Sequence, residues 1–267
     1  MTAPAPAPAD APADAATLHL ARSALACLDL TSLTDGHDRH GGEADIEALC
    51  AKADGKHGPT AAVCVWPRQA GFARSLLPPA IAVAAVANFP DGSSDIRRAV
   101  RDTAQIVTAG AQEVDVVMPY RDLAAAPALL AAVRRECQGL VLKVILETGE
   151  LNDEALILQA CRIALDAGAD FLKTSTGKRP LAATPAAARL LLAAIATDPQ
   201  ARGRVGFKPA GGIRTVADAA LYMQLTTELL GEEAITPRRF RIGASGLLND
   251  IEAVLSGAAR PAAGTPY

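Results

Sequence analysis

Eight short apolar runs, separated by segments of helical period, constrain the fold of this chain more than any other feature. Most of the runs are continuously hydrophobic rather than alternating, which is typical of parallel strands buried on both faces. They span residues 25–33, 61–67, 81–90, 112–120, 140–149, 170–177, 204–212 and 239–246. Strands that alternate with helices eight times predict a single (β/α)8 TIM barrel, an α/β fold, over residues 17–258.

An open, doubly wound sheet is the alternative to this barrel. The first predicted strand–helix turn carries no dinucleotide fingerprint, which favours the barrel. An internal repeat supports the βα order: "AGAQEVDVV" at 109–117 and "AGADFLKTS" at 167–175 place Asp115 and Lys173 at the same position of two strands. Equal register in parallel strands predicts that the two side chains point the same way.

The two ends of the chain are predicted to lie outside the barrel. Residues 1–16 contain only Ala, Pro, Asp, one Thr and the initiator Met. This composition cannot form a core, so we expect a disordered tail, and it lacks the basic start and apolar centre of a secretion signal. Residues 259–267 are expected to form a flexible C-terminal tail that ends in Tyr267.

Composition excludes several classes of function. A net charge of −3 and an aromatic content of 3% argue against nucleic-acid binding, and no apolar run is long enough to cross a membrane. The five cysteines show no paired spacing, which predicts reduced core thiols and a cytoplasmic protein. All four histidines lie in the first sixty residues, so we expect no histidine-ligated metal.

Polar residues stand within or after the predicted strands, at whose carboxyl ends barrels build their active sites. They are Asp29, Thr31, Asn88, Asp115, Lys143, Lys173 and Lys208. Lys173 in "FLKT" and Lys208 in "GFKP" lie on consecutive strands, so their ammonium groups should be close. Repulsion in a partly dry site would lower one pKa and yield the free amine that a Schiff-base nucleophile requires.

Structural roles for these charges are the alternative. Asp115 and Asp29 would neutralise the two lysines if the set were only structural. Lys143 and Glu147 are interpreted as a structural ion pair near the rim of the barrel.

Glycine-rich turns after the last strands predict an anion site. "KPAGGIRT" at 208–215 and "GASGLL" at 243–248 allow backbone amides, and the amino terminus of a helix, to approach a phosphate. Barrels commonly bind phosphate at the loops after strands 7 and 8. Gly177 and Lys178, after the sixth run, would add an amide and a positive charge.

Several segments resemble one known family. "EVDVVMPYRDL", "LKVILETGEL", "AGADFLKTSTGK", "VGFKPAGGIRT" and "GASGLL" are similar to signature segments of the 2-deoxyribose-5-phosphate aldolases, and the likeness runs from about residue 24 to 250. The resemblance implies a class I aldolase that needs no metal or other cofactor. Such an enzyme reversibly cleaves 2-deoxy-D-ribose 5-phosphate to D-glyceraldehyde 3-phosphate and acetaldehyde.

The resemblance also implies roles for individual residues. Lys173 would form the Schiff base, Lys208 would lower its pKa, and Asp115 would transfer protons. Asp29 would pair with Lys208, with Thr31 nearby, and Tyr267 would reach the site from the chain end. The residues matching the family's phosphate site are Gly177, Lys178, Gly211, Gly212, Gly243 and Ser245.

Gly246 departs from the family pattern, because many relatives have a second serine there. We expect a weaker grip on phosphate, or broader acceptance of plain aldehydes. Two other functions stay open: a Schiff-base aldolase for another aldehyde or keto acid, and a phosphosugar-binding protein with an inert barrel. The expected partner is a phosphorylated sugar or aldehyde, with neither nucleic acid nor membrane, and a homodimer is among the expected assemblies.

Overall fold

Residues 13–34, 42–151 and 153–258 are described by the structure, a computed structural model. Eight parallel strands form the central sheet: β1 (Leu28–Thr31), β2 (Ala62–Val65), β3 (Ala82–Ala87), β4 (Glu113–Val117), β5 (Val141–Ile145), β6 (Phe171–Lys173), β7 (Gly206–Lys208) and β8 (Ile242–Ala244). Neighbours in the sheet follow chain order, and β8 returns to pair with β1. Bridges from Phe207 to Phe240 and from Ala210 to Gly243 join β7 to β8. The sheet therefore closes as the predicted (β/α)8 barrel.

A helix follows every strand of this sheet, and one more precedes β1. The helices are α1 (Ala15–Ala26), α2 (Glu43–Ala53), α3 (Pro67–Leu76), α4 (Ile96–Thr108), α5 (Ala126–Glu136), α6 (Glu154–Asp166), α7 (Pro185–Thr197), α8 (Val216–Leu230) and α9 (Leu247–Ser256). In the described part of the chain, no helix has the length and apolar character needed to span a membrane.

The helix ends follow from local sequence. Thr184 caps α7 through its side chain, with Pro185 in the first turn, and Asp95 caps α4. Asp14 caps α1 by accepting a hydrogen bond from the amide of Thr17. Helix α1 thus begins at Ala15, inside the segment expected to be a tail, while residues 1–12 and 259–267 lie outside the described residues.

The strands are buried on both faces, as continuous hydrophobic runs require. All residues of β2 and β4 are buried, and their side chains pack either inside the barrel or against the surrounding helices. The five cysteines are buried and unpaired, as the sequence predicted. Lys143 and Lys208 are among the largest fully buried side chains, so the interior of the barrel is partly ionic.

Candidate active site

Lys173 and Lys208 lie directly opposite each other in the parallel ladder of β6 and β7. Each Nζ atom lies 2.8 Å from the same oxygen, Oδ2 of Asp115 on β4. The two ammonium groups are therefore close together, as the strand spacing predicted, and both reach one carboxylate. Lys173 is only 3% exposed and Lys208 is fully buried.

These residues belong to a larger group of buried charges, which we call the ionic cluster. Its members are Asp29, Glu113, Asp115, Lys143, Lys173, Lys208 and Arg241. Asp29 on β1 accepts from Lys208 and, at 2.6 Å, from Arg241. The predicted pairing of Asp29 with the second lysine is thus present in the structure.

Lys143 corrects one sequence-based interpretation. It does not pair with Glu147 at the rim. Its Nζ lies at the centre of the barrel, 2.6 Å from Glu113, 2.7 Å from Asp115 and 3.2 Å from Asp29. The register of β4 and β5 places Lys143 directly opposite Asp115, so its side chain enters the barrel interior instead of the rim.

Glu147 is buried at the carboxyl end of β5 with a positive φ of 56°. Its carboxylate accepts hydrogen bonds from the Thr176 amide at 3.2 Å and from the Thr176 hydroxyl at 2.5 Å. The Thr176 hydroxyl also accepts from the Lys178 amide at 3.1 Å. Glu147 thereby positions the loop after β6. Burial raises the pKa of Glu147 despite the hydrogen bonds from Thr176.

The pKa values of the two lysines shift in opposite directions because their surroundings differ. Burial lowers the pKa of Lys173, and the positive charge of Lys208 lowers it further, against the opposing effect of Asp115. Burial also disfavours the charge of Lys208, but Asp115 and Asp29 outweigh it and raise the pKa of that lysine. Lys173 is accordingly the amine that loses its proton more easily.

Asp115 and Asp29 stay ionised within the cluster. Burial would raise the pKa of Asp115, but Lys143, Lys173 and Lys208 hold it well below its usual range. The pKa of Asp29 is also lowered, because Lys143, Lys208 and Arg241 together outweigh its burial. The site thus combines an amine of lowered pKa with a carboxylate that accepts hydrogen bonds.

Similarity to known proteins extends over nearly the whole chain. The sequence profile of the DeoC/LacD family aldolases matches residues 11–251. A deoxyribose-phosphate aldolase of Agrobacterium fabrum is 43% identical over 251 residues, which cover 91% of this chain and 94% of the relative.

The chain belongs to the DeoC/LacD aldolase family.

Solved structures agree with this membership. QR15, an aldolase, is 30% identical with a TM-score of 0.71, covering 87% of this chain and 96% of that chain. The deoxyribose phosphate aldolase from Aeropyrum pernix, which is described as a unique tetrameric structure, is 23% identical with a TM-score of 0.69. That alignment covers 91% of this chain and 98% of the other, and it supports the fold alone. The membership makes this chain an aldolase, that is, a lyase.

The loops after β6 and β7 of this aldolase pack closely together. Gly177, Gly211 and Gly212 have φ values of 74°, 87° and 80°, which favour glycine. A Cβ atom on Gly211 would lie 2.5 Å from the side chain of Ala182 and 3.1 Å from the Cα atom of Gly177. The predicted phosphate glycines of these two loops are therefore adjacent, in backbone conformations that other residues rarely adopt.

Other predicted phosphate residues are placed differently. The Lys178 ammonium donates to the carbonyl of Leu33 at 2.8 Å, across the mouth of the barrel. The Gly243 amide donates to Pro209 and so belongs to the sheet, while a Cβ atom on Gly243 would lie 3.1 Å from Cε of Lys208. Gly243 thus makes room for Lys208. Ser245 is exposed after β8.

The two helices that follow these loops differ at their amino termini. Asp218 accepts from the Arg214 and Thr215 amides before α8, and Asp250 accepts from the Val216 amide at 2.7 Å. Carboxylates of the protein thus already accept hydrogen bonds from the backbone amides at the start of α8. Helix α9 begins after Gly246 without a side-chain cap. The helix terminus that suits an anion is therefore the one after β8.

The remaining predicted residues lie apart from the lysines. The Thr31 hydroxyl donates to the carbonyl of Asp29 at 2.9 Å and makes no contact with the ammonium groups of the cluster among the described residues. Asn88 is buried after β3 and bonds Ser93 and the Val117 carbonyl. Tyr267 lies outside the described residues.

Sequence reasoning missed Glu113 and Arg241. Arg241 donates to Glu113 at 2.7 Å and lies over the ring of Phe171, 5.6 Å from its centroid. Both residues carried a readable signal. Glu113 precedes Asp115 by two positions and so faces the same side of its strand, and Arg241 is a charge inside the apolar run "RFRIGA".

Proposed function

We propose that this protein is a class I aldolase that reversibly cleaves 2-deoxy-D-ribose 5-phosphate to D-glyceraldehyde 3-phosphate and acetaldehyde. The observation that carries the proposal is the position of Lys173, whose Nζ shares Oδ2 of Asp115 with Lys208 at 2.8 Å each. The name of the Agrobacterium relative, a deoxyribose-phosphate aldolase at 43% identity, supports the same substrate.

Lys173 is the proposed nucleophile. As the free amine it adds to the substrate carbonyl, and loss of water then gives a protonated imine. This cation accepts the electron pair of the adjacent carbon–carbon bond when that bond breaks, so no unstabilised carbanion forms. Bond breaking leaves an enamine, and its protonation gives the acetaldehyde imine, which water then hydrolyses to release the lysine.

Asp115 is the proposed general acid–base. It would take the proton from the hydroxyl that becomes the product aldehyde, through a bound water, and return a proton to the enamine. Its contact with Nζ of Lys173 supports this role, because the carboxylate lies beside the atom that carries the substrate. Lys208 keeps its own proton and favours the neutral form of Lys173.

The phosphate is proposed to bind between the loops after β6, β7 and β8. Gly177, Gly211 and Gly212 would offer backbone amides, and Ser245 and the start of α9 would complete the site. Lys178 would exchange the carbonyl of Leu33 for a phosphate oxygen, which is the stronger, charge-assisted partner. Gly243 contributes space for Lys208.

Three further expectations belong to this proposal. Tyr267 would assist the proton transfer from the end of a flexible C-terminal tail. The protein would act in the cytoplasm, in keeping with its five unpaired thiols. It would assemble as a homodimer, which sedimentation would distinguish from the tetramer described for the Aeropyrum pernix relative.

Borohydride trapping tests the proposal directly. Reduction in the presence of acetaldehyde should add a stable ethyl group to Lys173, and peptide mass mapping should find it there. Lys173→Leu should abolish both trapping and turnover, whereas Lys178→Met should still be trapped. A fully active Lys173→Leu protein would overturn the mechanism. If the enzyme turned over plain 2-deoxyribose but not its 5-phosphate, the proposed substrate would be wrong.

A further inference from the structure

The ionic cluster contains one more base than it contains acids. Its bases are Lys143, Lys173, Lys208 and Arg241, and its acids are Asp29, Glu113 and Asp115. All seven side chains are nine-tenths or more buried. An unbalanced charge in such an interior carries a large desolvation cost. Loss of one proton from one base would bring the cluster to neutrality.

The contacts identify which base should lose that proton. Arg241 is excluded, because a guanidinium stays protonated in proteins, and it pairs with both Asp29 and Glu113. Lys143 contacts all three acids and Lys208 contacts two. Lys173 contacts one oxygen of one acid, which it shares with Lys208. Lys173 is thus the base whose charge the cluster compensates least.

From this count we infer that Glu113, Lys143 and Arg241 are positioning residues that set the charge balance under Lys173, so that Lys173 is held as the free amine. The inference rests on the proposed function, in which that amine attacks the substrate. It assigns the tuning of Lys173 to the whole cluster, and not to Lys208 alone.

The three residues lie nearer than Lys173 to the amino-terminal ends of the strands. Lys143 is two positions before Ile145, the residue that pairs with Lys173, and Glu113 is two positions before Asp115. Arg241 lines a cleft of about 580 Å³ at the amino-terminal face of the strands, opposite the proposed substrate site. Changes at these positions would therefore act on the amine through charge, without touching the substrate.

Two other titratable groups near Lys173, Cys64 and Glu147, make no ion pair with it in the described part of the chain. Asp115 and Lys208 belong to the cluster. Burial raises the pKa of the Cys64 thiol on β2, so that thiol is neutral at neutral pH. Glu147, after β5, is hydrogen-bonded to Thr176 and makes no ion pair with a base of the cluster in the described part of the chain.

Two substitutions should shift the titration of Lys173 in opposite directions. Lys143→Met leaves three acids and three bases, which is neutral only when Lys173 is protonated, so the pKa of Lys173 should rise. Glu113→Gln leaves two acids and four bases, so that pKa should fall. We expect shifts of about one pH unit each, as for other close buried charges. The double variant, with two acids and three bases, should return to the wild-type value.

The measurement is the rate of reductive ethylation of Lys173 by acetaldehyde and cyanoborohydride as a function of pH, quantified by peptide mass. It needs no turnover of a phosphosugar, so a wrong substrate would not affect the result. Opposite shifts with recovery in the double variant would support the inference. Shifts in the same direction, or an unchanged pH dependence in folded variants, would overturn it.

A conservative pair guards against failed folding. Glu113→Asp keeps the charge and should leave the pKa of Lys173 unchanged, whereas Glu113→Gln should lower that pKa. If Lys143→Met does not fold, this pair decides the question, because a merely structural role of Glu113 would make the two variants alike in their pH dependence.

Discussion

Lys173 and Lys208 are paired in register on adjacent strands, and their ammonium nitrogens lie 2.8 Å from the same carboxylate oxygen. Two cations on one oxygen cannot both be fully neutralised. Lys208 also pairs with a second acid, Asp29. Lys173 has no second acid within ion-pair distance among the described residues. This asymmetry shifts the pKa values of the two lysines in opposite directions, although both lysines occupy nearly the same position in the barrel.

Lys208→Leu should slow turnover at neutral pH by roughly a hundredfold. It removes the repulsion that lowers the pKa of Lys173, so the pKa of Lys173 should rise and less free amine should exist at pH 7. Because activity requires the free amine, the acidic limb of the rate–pH profile should move to higher pH. An unshifted limb would mean that the charge of Lys208 does not tune Lys173.

Gly246→Ser should tighten binding of the phosphorylated substrate. Gly246 is exposed at the start of α9, and an added Cβ would meet no atom within 4 Å, so a serine fits there. One hydroxyl bond to a phosphate oxygen corresponds to a KM lower by roughly tenfold. Gly246→Ala is the matched control without a hydroxyl. An equal change of KM for plain 2-deoxyribose would count against a phosphate contact.

Thr176→Val should loosen the loop after β6. The substitution keeps the shape of the side chain but removes the hydroxyl that links Glu147 to the Lys178 amide. We expect a loss of about 1–3 kcal/mol in the free energy of unfolding, because the buried Glu147 loses a donor. The KM for the phosphorylated substrate should rise, with less effect on acetaldehyde trapping. Thr176→Ser, which retains the hydroxyl, should behave like the wild type.

Gly206→Ala should destabilise the fold. An added Cβ would collide with the ring of Phe171 and would lie 2.8 Å from the carbonyl of Arg239. The Phe171 ring in turn packs against the guanidinium of Arg241. Overpacking of this kind costs about 1–3 kcal/mol, which urea denaturation can measure. Gly203→Ala is the control, because nothing lies within 4 Å of its added Cβ. Equal stability of the two variants would show that the strand shifts to accommodate the methyl group.

The amino-acid sequence by itself determined the barrel and the positions of Asp115, Lys173 and Lys208 within it. Eight short apolar runs, most of them continuous, predicted strands buried on both faces, and the equal register of Asp115 and Lys173 in the repeat follows from the two-residue period of a strand. Lys208 could be placed beside Lys173 for a different reason: consecutive parallel strands are neighbours in the closed sheet.

Only the tertiary structure decided which charges meet and which amides are already used. Asp29 on β1, Glu113 on β4 and Arg241 just before β8 are far apart in the chain, and their contacts depend on how long side chains cross the interior of a closed barrel. Lys143 was assigned to the rim, because sequence gives the side of a strand but not the depth of a side chain. The ion pairs could therefore be identified only in the packed fold, whereas the strand register could be predicted from the sequence.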